Sequence, residues 1–149
     1  MSVLEDYEDK PMTVPNSSET AAISVADILR AIADDKSLVL FNTIAITGGD
    51  TDILITRLGI TRKQFYSRLS TLTKVSLISR KSRRYELTSL GRIVYDAHLM
   101  IGTALNKFWK LKALDSIETE HKLPIGERNR ILSTLIDNED IIKVLVKHA

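Results

Sequence analysis

Cysteine is absent from this chain. That excludes disulfides, thiolate metal sites and thiol catalysis, and it fits a cytoplasmic protein. Aromatic residues are scarce at 5%, so aliphatic side chains must fill any core. A hydrophobic fraction of 44% over 149 residues allows one domain with an appendage, or two very small ones. No apolar run approaches the roughly 20 residues of a membrane span. The most apolar later segment, Ile93 to Leu105, is interrupted by Asp96 and His98. The opening MSVLEDYEDK is acidic and lacks the apolar region of a secretory signal. The expectation is a soluble protein. Patterns of catalysis are missing too. His98, His121 and His148 stand apart, with no partner at i, i+4, whereas a metal needs three or four ligands at suitable spacing. Gly48-Gly49-Asp50 is not followed by the Gly-Lys-Ser/Thr of a phosphate loop. No enzyme activity, metal or cofactor is expected.

A second absence is more telling. Between Ile53 and Tyr85 there is no Asp or Glu, while the same span holds nine basic residues. They are Arg57, Arg62, Lys63, Arg68, Lys74, Arg80, Lys81, Arg83 and Arg84. The whole chain has 21 Lys+Arg against 19 Asp+Glu, so removing those nine leaves 12 against 19, a balance of −7. The modest overall charge of +2 therefore hides a polarised molecule. A cationic patch of this density points to nucleic-acid phosphate.

Taken in order, residues 1–20 form an acidic leader. Glu5, Asp6, Glu8, Asp9 and Glu19 face only Lys10, and Pro11 and Pro15 interrupt the stretch. Such a segment cannot bury enough apolar surface to order itself. Ser24 is a candidate N-cap with Asp27 at the third helical position, before Val25, Ile28, Leu29 and Ile32 at helical spacing. Asp34-Asp35-Lys36-Ser37 breaks that helix, and a second stripe runs from Leu38 to Ala45 before Gly48-Gly49 stops it. Asp50 or Thr51 caps a short helix with Ile53, Leu54 and Leu58 inward, and Gly59 fits a left-handed turn after it. Thr61 then caps a helix running to about Val75, with Phe65, Leu69 and Leu72 buried. The opposite face carries Lys63, Ser67, Ser70 and Lys74, flanked by Gln64, Tyr66 and Thr71, with Arg62 and Arg68 beside the apolar stripe. Small, polar and cationic side chains on an anchored helix suit the major groove. Leu77-Ile78 leads into Arg80, Lys81, Ser82, Arg83 and Arg84, then Tyr85-Glu86-Leu87, which reads as a basic hairpin turning near Lys81 to Arg83.

These residues carry a resemblance. Leu58-Gly59-Ile60-Thr61, then Phe65, Arg68, Leu69 and Leu72, then Leu77-Ile78, then Tyr85-Glu86-Leu87-Thr88-Ser89-Leu90-Gly91 is similar to winged helix-turn-helix transcriptional regulators. The likeness is nearest to the archaeal ArnR-like group and more distant to the MarR and ArsR families. It covers roughly Val25 to Ala113, and the Leu-Thr-x-Leu-Gly-Arg end of the hairpin is its most specific part. The resemblance implies that the helix from Thr61 is a recognition helix. Thr61, Arg62, Lys63, Gln64, Tyr66, Ser67, Arg68, Ser70 and Lys74 then serve DNA, with Arg80, Lys81, Ser82, Arg83 and Arg84 as the wing. One departure stands out: where the family has glycine before the Leu-Ile pair, this chain has Ser76.

Thr88 is a candidate cap for a long helix from about Ser89 to about Ile117. Its apolar residues cover too much of the circumference for one domain face. The resemblance implies a homodimer through Val94, Ala97, Ile101, Leu105, Phe108 and Trp109. Intramolecular cover by the C-terminal helices is the alternative. Lys107, Lys110 and Lys112 read as solvated. Pro124 and Gly126 mark a break before two short amphipathic helices, one around Ile131 to Ile136 and one over Glu139 to Lys147.

The expected architecture is mainly α with a small β-hairpin, a winged helix-turn-helix with a long C-terminal dimerisation helix. Residues 1–20 form the leader, 21–88 the DNA-binding domain and 89–149 the helical dimerisation region. The expected function is sequence-specific binding of double-stranded DNA by a homodimeric regulator. The alternative is a winged-helix adaptor whose basic patch meets an acidic protein. No motif names a small-molecule effector.

Overall fold

The computed structural model describes residues 13–14, 22–120 and 122–148. The chain is mainly helical with little sheet. Among the described residues it has eight helices and five short strands. The acidic leader lies outside the described residues except for Thr13–Val14 (β1), which pair antiparallel with Ile23–Ser24 (β2). Helices α1 (Val25–Ile32), α2 (Asp35–Thr47), α3 (Thr51–Leu58) and α4 (Arg62–Lys74) follow, with strand β3 (Gly49–Asp50) between α2 and α3. Strands β4 (Ile78–Lys81) and β5 (Arg84–Leu87) form a hairpin, and then come α5 (Ser89–Asn106), α6 (Phe108–Glu120), α7 (Ile125–Leu135) and α8 (Glu139–Lys147). No helix among the described residues is long and apolar enough to cross a membrane.

Local chemistry explains most of these boundaries. Ser24 and Asp27 form a reciprocal capping box at α1. Asp34 caps α2 by accepting from the Ser37 amide at 2.9 Å. Gly48, at φ 65°, ends α2, and Gly59, at φ 60°, gives α3 a left-handed stop that a β-carbon would strain. Of the cap candidates for α3, Asp50 takes the place, accepting from the Asp52 amide at 3.1 Å.

The chain divides into two compact units, residues 1–95 and 96–149. The boundary falls inside α5 rather than at Ser89, because Leu90, Val94 and Tyr95 pack against the first core. That core is aliphatic around two fully buried rings, Phe41 and Phe65, with Leu40, Leu72 and Leu77 also sealed from solvent. Phe41 meets Tyr95 edge-on at 6.1 Å. Ile53, expected inward, is 55% exposed, while Leu54 and Leu58 carry the buried side of α3. Ile55 rather than Ile53 joins them against the core, because Ile53 points about 140° round the helix from Leu58.

The hairpin turn is tighter than its charge suggests. Lys81 pairs with Arg84, leaving a two-residue loop of Ser82 and Arg83. Ser82 sits at φ 58°, as the first position of a primed turn requires. The sheet also has a third strand, since β3 pairs with β5 through Gly49↔Tyr85 and Asp50↔Arg84.

Ser76 adopts φ 63° and makes a left-handed cap without glycine. Its amide donates to the Thr73 carbonyl at 3.0 Å, and the Leu77 amide donates to Leu72 at 3.0 Å, the two bonds of a Schellman motif. The Leu-Thr-x-Leu-Gly-Arg segment locks onto this turn. The Thr88 hydroxyl donates to the Ser76 carbonyl at 2.5 Å and accepts from the Gly91 amide at 2.9 Å. A β-carbon on Gly91 would lie 2.0 Å from the Leu77 carbonyl oxygen, so only glycine lets α5 start this close.

The second unit has a smaller core of Leu114, Leu132, Ile136 and Ile141, with Ala104, Leu111 and Leu145 against it. The single helix expected to reach about Ile117 is interrupted at Lys107. The Lys107 amide turns to Ala104 at 3.0 Å, one residue short of an α-helical bond. Its ammonium pairs with Asp137, and its side chain is only 18% exposed, so Lys107 is not the solvated residue expected. The sequence also offers Asn138 as the stop of the helix around Ile131 to Ile136, but α7 ends at Leu135; Asn138 belongs to the next helix. It caps α8, accepting from the Ile141 amide at 3.0 Å.

Candidate nucleic-acid interface

Helix α4 is built as the sequence predicts. Thr61 and Gln64 form a capping box: the Thr61 hydroxyl accepts from the Gln64 amide at 3.1 Å, and the Gln64 side chain accepts from the Thr61 amide at 3.1 Å. Phe65, Leu69 and Leu72 are buried, and Arg62, Lys63, Gln64, Tyr66, Ser67, Ser70 and Lys74 are exposed. Tyr66 is steadied by an edge-on contact with Phe65 at 5.4 Å. Thr71 and Thr73 donate their hydroxyls back to the Ser67 and Leu69 carbonyls, so neither hydroxyl is free to donate outward. Arg62 stands 3.8 Å from Asp52, both largely exposed, a separation that water and salt screen.

Arg68 departs from expectation. It does not join the outward cations. Its Nη1 donates to Asp34, in a pair spanning α4 and the start of α2, and to the Ser37 hydroxyl at 2.9 Å. A wheel places Arg68 beside the apolar stripe, but only the packing of α2 against α4 supplies acceptors there. Burial pushes the Asp34 carboxyl up. The Ser37 amide and hydroxyl, with Arg68, outweigh this and hold it below the ordinary carboxylate range. Beside this cluster lies an open groove of about 370 Å³, lined by Arg30, Asp34 and Ser37 on one side and Lys63, Gln64, Ser67 and Thr71 on the other.

In the hairpin the cations divide. Arg80, Lys81, Ser82, Arg83 and Arg84 are all exposed. Arg84 nonetheless reaches back to the Thr47 carbonyl at 3.3 Å, where it meets the negative end of α2 beside Gly48. It is therefore partly committed to the fold, a role that pattern alone does not reveal. Lys81 pairs with Glu86 at 2.7 Å. That hydrogen bond holds the Glu86 carboxyl below its ordinary range. Arg80 lies over the Tyr85 ring at 5.9 Å and donates to the Ser82 carbonyl at 3.1 Å. Arg83 forms no ion pair with a described residue.

A scan against protein-family models found no match, and neither did searches of curated proteins and of solved structures. The chemistry of the surface therefore rests on its own residues. Among the described residues no three His, Asp or Glu side chains gather as a metal ion requires. What the first unit offers is a rigid, small-residue, cationic helix face and a basic hairpin.

In the second unit, Ile101, Leu105, Phe108 and Trp109 are exposed, Trp109 by 79%. Ala97 is exposed as well. Phe108 and Trp109 meet edge-on at 5.2 Å. Val94 is the exception among the expected interface residues, because it packs against the first core.

Proposed function

We propose that this chain is a sequence-specific DNA-binding transcriptional regulator of winged helix-turn-helix type, acting as a homodimer. In this reading α3, the turn of residues 59–61 and α4 form the helix-turn-helix. Helix α4 enters the major groove, and the β4–β5 hairpin follows the backbone or the neighbouring minor groove. Lys63, Tyr66, Ser67 and Ser70 read bases. Lys74, Arg80 and Arg83 take phosphates. The supporting observation is the division of α4 between a sealed face, Phe65, Leu69 and Leu72, and an exposed face free of acids. The wide exposure of Ile101, Leu105 and Trp109 supports self-association, since isolated monomers rarely leave so much apolar surface together. Two α4 helices would then address half-sites about 34 Å apart, or a multiple of that.

A gel-shift series over salt tests the reading. Each phosphate neutralised contributes a slope of about −0.9 in log affinity against log salt. Steep weakening is expected; salt-independent binding, or none on any genomic fragment, overturns it. The second reading is an adaptor for an acidic protein, favoured by the Lys81–Glu86 pair, in which the hairpin already holds a carboxylate. Charge reversal at Arg83 separates the two. Loss of DNA affinity supports the regulator, and loss of a protein partner with DNA affinity intact supports the adaptor.

A further inference from the structure

The Asp34–Ser37–Arg68 cluster is unusual for its place. Among the described residues, Ser37, 4% exposed, is buried where the other buried side chains are hydrophobic. It lies where the start of α2 meets α4. Asp34 accepts both from the Ser37 amide that it caps and from Arg68, residues 3 and 34 positions away. The cluster is not there for burial alone. Arg68 Nε is buried with no acceptor, which an aliphatic side chain of similar length would avoid. Apolar packing along Phe65, Leu69 and Leu72 holds α4 against the core but tolerates small rotations about the helix axis. A guanidinium shared between a carboxylate and a hydroxyl on another helix does not. The immediate neighbour of Arg68 is Ser67, and both line the groove described above.

We infer that Arg68 is a positioning residue for DNA reading: through Asp34 and Ser37 it fixes the rotation of α4 and so selects which side chains reach base edges. This rests on the proposed regulator function. Arg68 itself stays off the DNA. Its loss therefore relaxes sequence discrimination while leaving general attraction to the duplex in place.

The test uses the full chain. A preferred duplex is first selected by the wild-type protein from a random-sequence library. Arg68→Met, Arg68→Lys and Asp34→Asn are then compared for thermal unfolding and for binding to the preferred and a scrambled duplex over the same series of salt concentrations. Asn preserves the cap on α2 while removing the charge that holds Arg68. Arg68→Met is expected to stay folded and to lose about tenfold or more in the ratio of preferred to scrambled affinity, with scrambled affinity little changed. Arg68→Lys restores part of the ratio. Should Arg68→Met fail to fold, Asp34→Asn decides, with a smaller loss of ratio expected. An unchanged ratio in the folded variants overturns the inference. So does an equal loss on both duplexes with a shallower salt slope, which would make Arg68 a phosphate contact. If the wild-type protein binds no duplex at all, the regulator reading has failed, and this inference with it.

Discussion

The two units solve the same problem unequally. The first buries Phe41, Phe65, Leu40, Leu54, Leu72, Leu77 and Ile78 almost completely, and its exposed surface is rich in cations. Among the described residues, the second closes around four buried side chains, Leu114, Leu132, Ile136 and Ile141, and leaves Trp109, Leu105 and Ile101 largely in solvent. A core of that size is marginal alone. The first unit also shows Ile46 and Ile93 to solvent, so what sets the second apart is how little it buries, and under the proposed function something outside it completes that core. In the proposed homodimer that is a second copy.

The largest expected effect lies in the first core. Phe65→Ala should cost about 3–5 kcal/mol, since it empties a fully buried ring from α4's sealed face. Urea unfolding followed by circular dichroism would measure this. A variant of full stability would mean that the inward and outward faces of α4 are reversed. Next in size is Ile101→Asp, which sets a charge on the exposed apolar surface of the second unit. It should lose about 2 kcal/mol or more of association energy, as central interface positions do. Sedimentation should then show monomer where the wild type shows dimer. A wild type that is monomeric at every concentration breaks the comparison at its root.

Ser76→Gly works in the opposite direction. The left-handed conformation at φ 63° costs a side chain roughly 1–2 kcal/mol, and glycine removes that strain while keeping the Schellman bonds. Part of the gain is returned as the unfolded chain becomes more flexible, so a net stabilisation of about 0.5–1 kcal/mol is expected. A destabilised variant would show that the Ser76 side chain makes a contribution that its backbone geometry does not reveal.

Periodicity and capping made much of the first unit legible. The stripe Phe65, Leu69, Leu72 and the Thr61 cap depend only on neighbours in sequence, and both stand as read, while the closing of that cap by Gln64 emerges from the structure. Several misreadings share a different cause, a partner far along the chain. Arg68 turns toward Asp34, and Arg84 toward Thr47. Strand β3 is two residues long and exists only through its pairing with Tyr85 and Arg84. The interruption at Lys107 has no proline or glycine to announce it and accompanies the pairing with Asp137. The same limit applies to function. Which cations face outward is set by the carboxylates and carbonyls they find when the chain folds, so a count of basic residues overstates the number available to phosphate.

The smallest effect expected, and the most specific, concerns acid. Asp34, Glu86 and Asp27 in the first unit are all held below the ordinary carboxylate range, against Asp137 in the second. A carboxylate whose folded-state pKa is depressed contributes stability above its unfolded pKa, and loses it as pH falls toward the folded value. The Asp34 side chain is 52% exposed, so solvent screens its share and the effect is small. Asp34→Asn isolates that share, because asparagine caps α2 equally well but presents no charge to Arg68. At neutral pH the variant should unfold at a slightly lower temperature than the wild type. Below the ordinary aspartate range the wild-type carboxyl becomes protonated too, and the two curves should converge. A gap that persists unchanged into acid would mean that Arg68 is held by Ser37 and shape alone. The rotation of α4 would then owe nothing to charge.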